Sequence, residues 1–147
     1  MSESEGKILS PQIGPLLFER IVSVLIDRRN EPATISPLIA PEADWTLNGD
    51  PSRWPYAGRR CRRDSIIAYL AAFNVEFQQK DIRVLNLLID GEQACVQYES
   101  HLRHRGTGRE ALVQCLTFVR LEGDLVVEVH EFVDSALLFR LCESADR

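Results

Sequence analysis

The segment LVVEVHEFVDS, residues 125–135, carries three acids, Glu128, Glu131 and Asp134. Its apolar residues alternate, so it reads as a strand. Alternation places Leu125, Val127, Val129, Glu131 and Val133 on one face. Glu131 is then the one charge in an aliphatic row. A carboxylate there is either solvated at the rim of a sheet or held in an apolar pocket, where it can shuttle protons near neutral pH. Glu128 and Asp134 share the other face, where solvation or an end-of-strand cap is expected. Glu131 is therefore the candidate catalytic residue.

Other spacings narrow the chemistry. His101, His104 and His130 are the only histidines. His101 and His104 stand three apart on a predicted strand, face opposite ways and cannot chelate one ion together. Cys61, Cys95, Cys115 and Cys142 are widely spaced with no C-x-x-C, and read as reduced, mostly core-filling thiols. No metal and no cofactor is expected. Gly106-Thr107-Gly108-Arg109-Glu110-Ala111 fits the dinucleotide pattern, but an alternating strand follows where a helix must, so it reads as a hairpin. The basic runs at 59–63 and 101–109 read as solvated segments whose arginines pair with nearby acids. No G-x-S-x-G, Walker loop or H-E-x-x-H is present.

These groups depend on the surrounding elements for their placement. Ser10-Pro11 opens a first helix whose stripe is Ile13, Leu16, Leu17, Ile21, Val24 and Leu25. Pro32, Pro37 and Pro41 leave room for at most a short helix after it. Residues 43–48 form a strand, with Trp45 and Leu47 on one face and Thr46 and Asn48 on the other. Residues 49–60 form a loop whose Trp54 and Tyr56 should pack down rather than face water. A second helix carries Asp64 in its first turn and Ile66, Ile67, Leu70, Phe73 and Phe77 on one stripe. From about residue 81 the period is two. Strands 82–89, 94–105, 110–121 and 125–133 make an antiparallel meander, with Asp90-Gly91 at its first turn. A turn or two of helix closes the chain at 135–142.

The order defines an α+β fold in which two to three helices cover one face of a curved sheet. On 110–121, Val113, Cys115, Thr117, Val119 and Leu121 share one face, and Leu112, Leu116 and Phe118 the other. A second subunit is the simplest cover for the outer apolar face, which predicts a homodimer.

The 147 residues suffice for one domain, here 11–147 behind a tail at 1–10. Hydrophobic residues are 45% and charged residues 27%, which suits a folded chain. A net charge of -5 gives no general attraction to nucleic acid or anionic membranes. No apolar run is long enough to span a bilayer, and the acid-rich start is unlike a secretory leader, so the chain reads as cytoplasmic.

Residues 43–73, ADWTLNGDPSRWPYAGRRCRRDSIIAYLAAF, resemble the first half of a SnoaL-like domain of the NTF2-like superfamily, the group related to ketosteroid isomerase. Residues 96–138 resemble its second half, through the long strand ending in T-G-R and the terminal V-V-E-x-x-E-F-x-D. The resemblance spans roughly residues 12–142. It implies a conical barrel: a strongly curved, mostly antiparallel sheet around N-terminal helices, with an apolar pocket at its open end and frequent dimerisation. Members include isomerases, polyketide cyclases, epoxide hydrolases, dehydratases and proteins without catalysis.

Carried over by residue, the resemblance puts Glu131 where limonene-epoxide-hydrolase-like members hold an acid. Thr117 stands where ketosteroid isomerases hold a pocket aspartate. Asn48 and Gly49, with Asp50 beyond, stand near the isomerase base. The Arg-x-Asp pair of epoxide hydrolases would fall on 96–101 and is absent. The expected pocket walls are Trp45, Asn48, Trp54, Tyr56, Tyr98 and Thr117, which suit a flat hydrophobic molecule. A one-residue shift of strand 94–105 would instead turn Glu99 and His101 inward and Tyr98 out. Two functions follow: a cofactor-free isomerase, cyclase or hydrolase using Glu131 as acid/base, or a ligand-binding or assembly module without catalysis.

Overall fold

Six strands form one sheet in the order β2-β1-β6-β5-β4-β3 in the computed structural model, which describes residues 14–144. The tail at 1–10, the helix start at Ser10-Pro11 and Ile13 lie outside the described residues. The elements are α1 (Pro15–Ile26), α2 (Pro32–Ile35) with a 3-10 turn at Ser36–Leu38, β1 (Ile39–Leu47), β2 (Gly58–Cys61), α3 (Arg63–Glu76), β3 (Phe77–Asp90), β4 (Gln93–His104), β5 (Glu110–Glu122), β6 (Leu125–Val133) and α4 (Ser135–Leu141).

The helices lie on one face of a curved sheet, as the α+β reading requires. Helix α1 buries Phe18, Ile21, Val22, Leu25 and Ile26. Leu16 and Leu17 are exposed, so the stripe starts one turn later than expected and runs through Phe18 and Val22. Helix α3 buries Ile66, Tyr69, Leu70 and Phe73, an i, i+3, i+4, i+7 pattern. Each fully buried large side chain contributes about 1.5–3 kcal/mol.

Phe77 is the first residue of β3, not the last of the helical stripe. The helix passes directly into a strand of 14 residues, so the meander begins earlier than its turn signals suggest. β1 also starts early, at Ile39, and Pro41 lies within it. The predicted loop at 49–60 ends in β2, which pairs antiparallel to β1 at the sheet edge.

β1 pairs parallel to β6, setting Trp45 beside Val129 and Leu47 beside Glu131. The β5–β6 register slips between Arg120 and Leu121. Val126 therefore pairs with Leu121 and is fully buried, while Val127 is only half-buried. Strict alternation fails on this strand N-terminal to Glu128, and holds through Val129 and Glu131. On β4 the inward residues are Ala94, Val96, Tyr98, Ser100, Leu102 and His104. Tyr98 faces in, and Glu99 and His101 face out, which fixes the register that sequence left open. The four cysteines are free, but only Cys115 is buried; Cys61 is exposed and Cys95 and Cys142 are half-buried.

Candidate functional site

Glu131 is 3% exposed. Its carboxylate accepts three side-chain hydrogen bonds, from the turn after α1, from β1 and from α3. Arg28 Nη2 donates to Oε2 as a buried ion pair, and Trp45 Nε1 donates to Oε1. Tyr69 Oη donates to Oε1 at 2.9 Å. About four lone-pair positions exist on a carboxylate, so one remains for a further proton.

Arg28 leaves the end of α1 and is held there by the sheet. Gln79 Oε1 on β3 accepts from the Arg28 backbone N–H at 2.8 Å. Gln79 Nε2 donates to Ile26 O at 3.3 Å and to Ser100 Oγ at 2.8 Å. The guanidinium carbon lies 5.5–5.8 Å from the ring centroids of Trp45, Tyr69 and Phe73, close enough for cation–π attraction. Arg28 Nη1 is buried and has no hydrogen-bond partner among the described residues.

The site's electrostatics follow from burial around that pair. Burial, the largest single influence, opposes the Arg28 charge, but Glu131, Tyr69 and Tyr98 together outweigh it, so the pKa is raised and the guanidinium stays charged. Burial, then the Glu131 charge, raises the Tyr69 pKa, keeping its proton available to donate. Burial likewise raises Tyr98. The Cys115 thiol is pushed up to about 12 by burial and by Glu131.

A cavity of about 30 Å³ opens beside the pair, with Tyr98, Ser100, Cys115, Phe73 and Leu138 among its walls. That is room for one or two waters, not for a drug-sized molecule. Arg28 and Gln79 also line an outer groove of about 610 Å³, so these two side chains separate the cavity from the surface. Leu138 of α4 and Phe73 of α3 are the apolar walls on the helical side.

The expected pocket residues divide into groups. Glu131 and Tyr98 line the cavity. Trp45 stands behind it as a donor to Glu131. Thr117 pairs with Glu131 across β5 and β6, and its Oγ1 is 3.4 Å from Tyr98 Oη. Asn48 lies beyond β1, where its Oδ1 accepts from Val133 N at 3.1 Å. Trp54 and Tyr56 do not line the cavity; they pack on Phe77, and Tyr56 also meets Phe73 and Tyr69 behind the cavity wall. Tyr56 Oη donates to Glu76. Sequence reading missed Arg28, Tyr69 and Gln79. Arg28 follows the predicted first helix with no motif of its own, Tyr69 fell outside the predicted stripe of Ile66, Ile67, Leu70, Phe73 and Phe77, and Gln79 sat before the predicted strand. A Tyr three residues from Ile66 and four before Phe73 was the available hint.

A family model for the SnoaL-like domain matches residues 19–129, and the chain belongs to that family. Solved structures share its architecture. An NTF2-like protein from Burkholderia pseudomallei has a TM-score of 0.73 at 19% identity, covering 87% of this chain and 98% of that one. A proposed isomerase from Rhodopseudomonas palustris gives 0.71 at 17%, covering 86% and 93%. A proposed SnoaL-like polyketide cyclase from Jannaschia gives 0.70 at 16%, covering 89% and 96%. At such identities the likeness concerns the fold. No curated protein matches the chain. No helix among the described residues is long and apolar enough to cross a membrane.

Proposed function

We propose that the chain binds a hydrophobic small molecule in the cavity beside Glu131 and converts it without a cofactor, by isomerisation, cyclisation or hydration. Glu131 is the acid/base and Arg28 Nη1 holds an oxygen of the ligand. The observation that carries this reading is the pairing of one buried carboxylate with one unsatisfied guanidinium nitrogen at a single cavity. The ion pair is neutral overall, so a neutral ligand oxygen fits better than a second anion, which would be buried without a counter-charge. Proton transfer to Glu131 leaves Arg28 free to face charge developing on that oxygen. The fold neighbours described as an isomerase and a polyketide cyclase agree with such chemistry.

The ligand needs more room than the roughly 30 Å³ of the cavity. Phe73 and Leu138 are the side chains whose movement would enlarge it. Turnover of a captured ligand should vanish in Glu131→Gln while binding persists. Unchanged turnover would refute the role of Glu131. Glu131→Asp, which keeps the ion pair, serves as the control if Glu131→Gln does not fold.

A second reading is ligand binding without turnover. It is favoured by the three donors that already occupy the Glu131 carboxylate. Bound ligand recovered chemically unchanged would support it.

We also propose that the chain forms a homodimer through the outer face of the sheet. Leu88 on β3, Leu112 and Leu116 on β5 and Phe132 on β6 are exposed there, on three strands of the one sheet. An apolar patch shared by neighbouring strands is a candidate for burial against a second copy.

A further inference from the structure

We propose that Glu76, His104 and Cys142 form a site for a zinc-class divalent metal, distinct from the Glu131 cavity, which staples the C-terminal helix to the rest of the fold. The three residues come from three elements. Glu76 ends α3, His104 ends β4, and Cys142 follows α4. Each offers one ligand atom, and these atoms all lie within 4.8 Å of one another. His104 Nε2 is 2.8 Å from Glu76 Oε2, and Cys142 Sγ is 3.7 Å from the same oxygen. Zinc bonds of about 2.0–2.3 Å set tetrahedral ligands roughly 3–4 Å apart, so small side-chain shifts would admit the ion.

The donor set selects the metal. One imidazole, one thiolate and one carboxylate suit zinc or cobalt, whereas calcium and magnesium take oxygen ligands. Three protein ligands leave a fourth position for water. The half-exposed Glu76 side chain gives solvent and metal a way in.

Supporting contacts already orient the ligands. Tyr56 Oη donates to the other carboxylate oxygen of Glu76. The Phe77 ring meets the His104 imidazole edge-on at 5.2 Å. Without metal, the Thr107 N–H donates to His104 Nδ1 at 3.1 Å, which leaves the imidazole proton on Nε2, facing Glu76. With metal on Nε2, the proton belongs on Nδ1. Thr107 Oγ1, 3.2 Å away, can accept it, because its own proton goes to Leu141 O at 2.6 Å. The exchange gives up the Thr107 N–H bond to Nδ1 and the imidazole and thiol contacts to Glu76, and gains three metal bonds.

The consequence reaches the cavity. Leu138 lies on α4 one turn before Cys142, and it is a cavity wall. A metal at Cys142 would hold α4, and Leu138 with it, against the cavity.

The test uses the full chain after chelator treatment, under reducing conditions, titrated with cobalt(II). We expect absorption bands of a thiolate-bound tetrahedral ion, saturating at one equivalent and bleached by zinc. Cys142→Ser should lose the thiolate band, Cys61→Ser should keep it, and Tyr56→Phe should weaken binding about 10–100-fold. Zinc should also slow alkylation of Cys142 and raise the melting temperature. No saturable binding, or a thiolate band that survives Cys142→Ser, would overturn the site. Binding without a rise in melting temperature would overturn the staple. If Cys142→Ser does not fold, alkylation of the unmutated chain decides: a rate at Cys142 unchanged by zinc contradicts the proposal.

Discussion

Arg28 and Glu131, 103 residues apart in sequence, form a buried ion pair in which the carboxylate accepts three hydrogen bonds while guanidinium Nη1 has no partner among the described residues. On the proposed function, this asymmetry serves ligand binding as well as structure. A buried group without a partner costs about 1–3 kcal/mol, and the cavity beside the pair has room for the oxygen that would satisfy Nη1.

Breaking this pair from one side should be costly. Glu131→Gln leaves the Arg28 charge buried without its counter-charge, and should lower stability by about 3–5 kcal/mol. Arg28→Met leaves Glu131 with its two neutral donors and should also destabilise. The double variant should recover much of the loss, since replacing both charges avoids an uncompensated ion. Chemical denaturation of all four proteins gives the coupling. Additive losses would show that the two residues do not act as a pair.

Much of this arrangement was legible in sequence. The single acid in an aliphatic row pointed to Glu131, the Trp45 strand set its neighbour, and period-two patterning located the four meander strands. What stayed hidden depends on long-range meeting. Arg28 sits in a polar run that signals only a helix end. The β5–β6 slip that buries Val126 leaves no mark in the hydrophobic pattern. Glu76, His104 and Cys142 have no motif spacing, because a curved sheet and two helix ends bring them together.

The Cys115 thiol should report on the cavity. Its pKa is pushed up to about 12, by burial first and by the Glu131 charge next. At pH 8 it should resist alkylation while exposed Cys61 reacts. Peptide mapping after brief iodoacetamide treatment checks this. Labelling of Cys115 at the rate of Cys61 would show a cavity open to solvent.

Stability should fall with acid through Asp27 among other groups. Its carboxyl is held below its usual value by hydrogen bonds from Arg29, the largest influence, against partial burial. A carboxylate depressed in the folded state stabilises above its unfolded pKa and loses that contribution as pH falls through the folded value. Asp27→Asn should therefore lower the melting temperature at pH 7 and make it less sensitive to pH below about 4. Parallel acid limbs for the two proteins would contradict the assignment.

The outer face offers a separate prediction. Leu116→Glu puts a charge in the middle of the exposed apolar patch, between Leu112 and Phe132. Light scattering with size exclusion should show a dimer for the unmutated chain at micromolar concentration and a monomer for the variant. A monomer for both would remove the dimer from the account.

The central claim is that the cavity at Arg28 and Glu131 takes a small molecule. Native mass spectrometry of the freshly purified chain, incubated with a cell extract of small molecules, tests it most directly. We expect a neutral, largely apolar adduct that is lost on denaturation and absent from Val113→Phe, which fills the cavity. No adduct on the unmutated chain, or the same adduct on the filled variant, would contradict it.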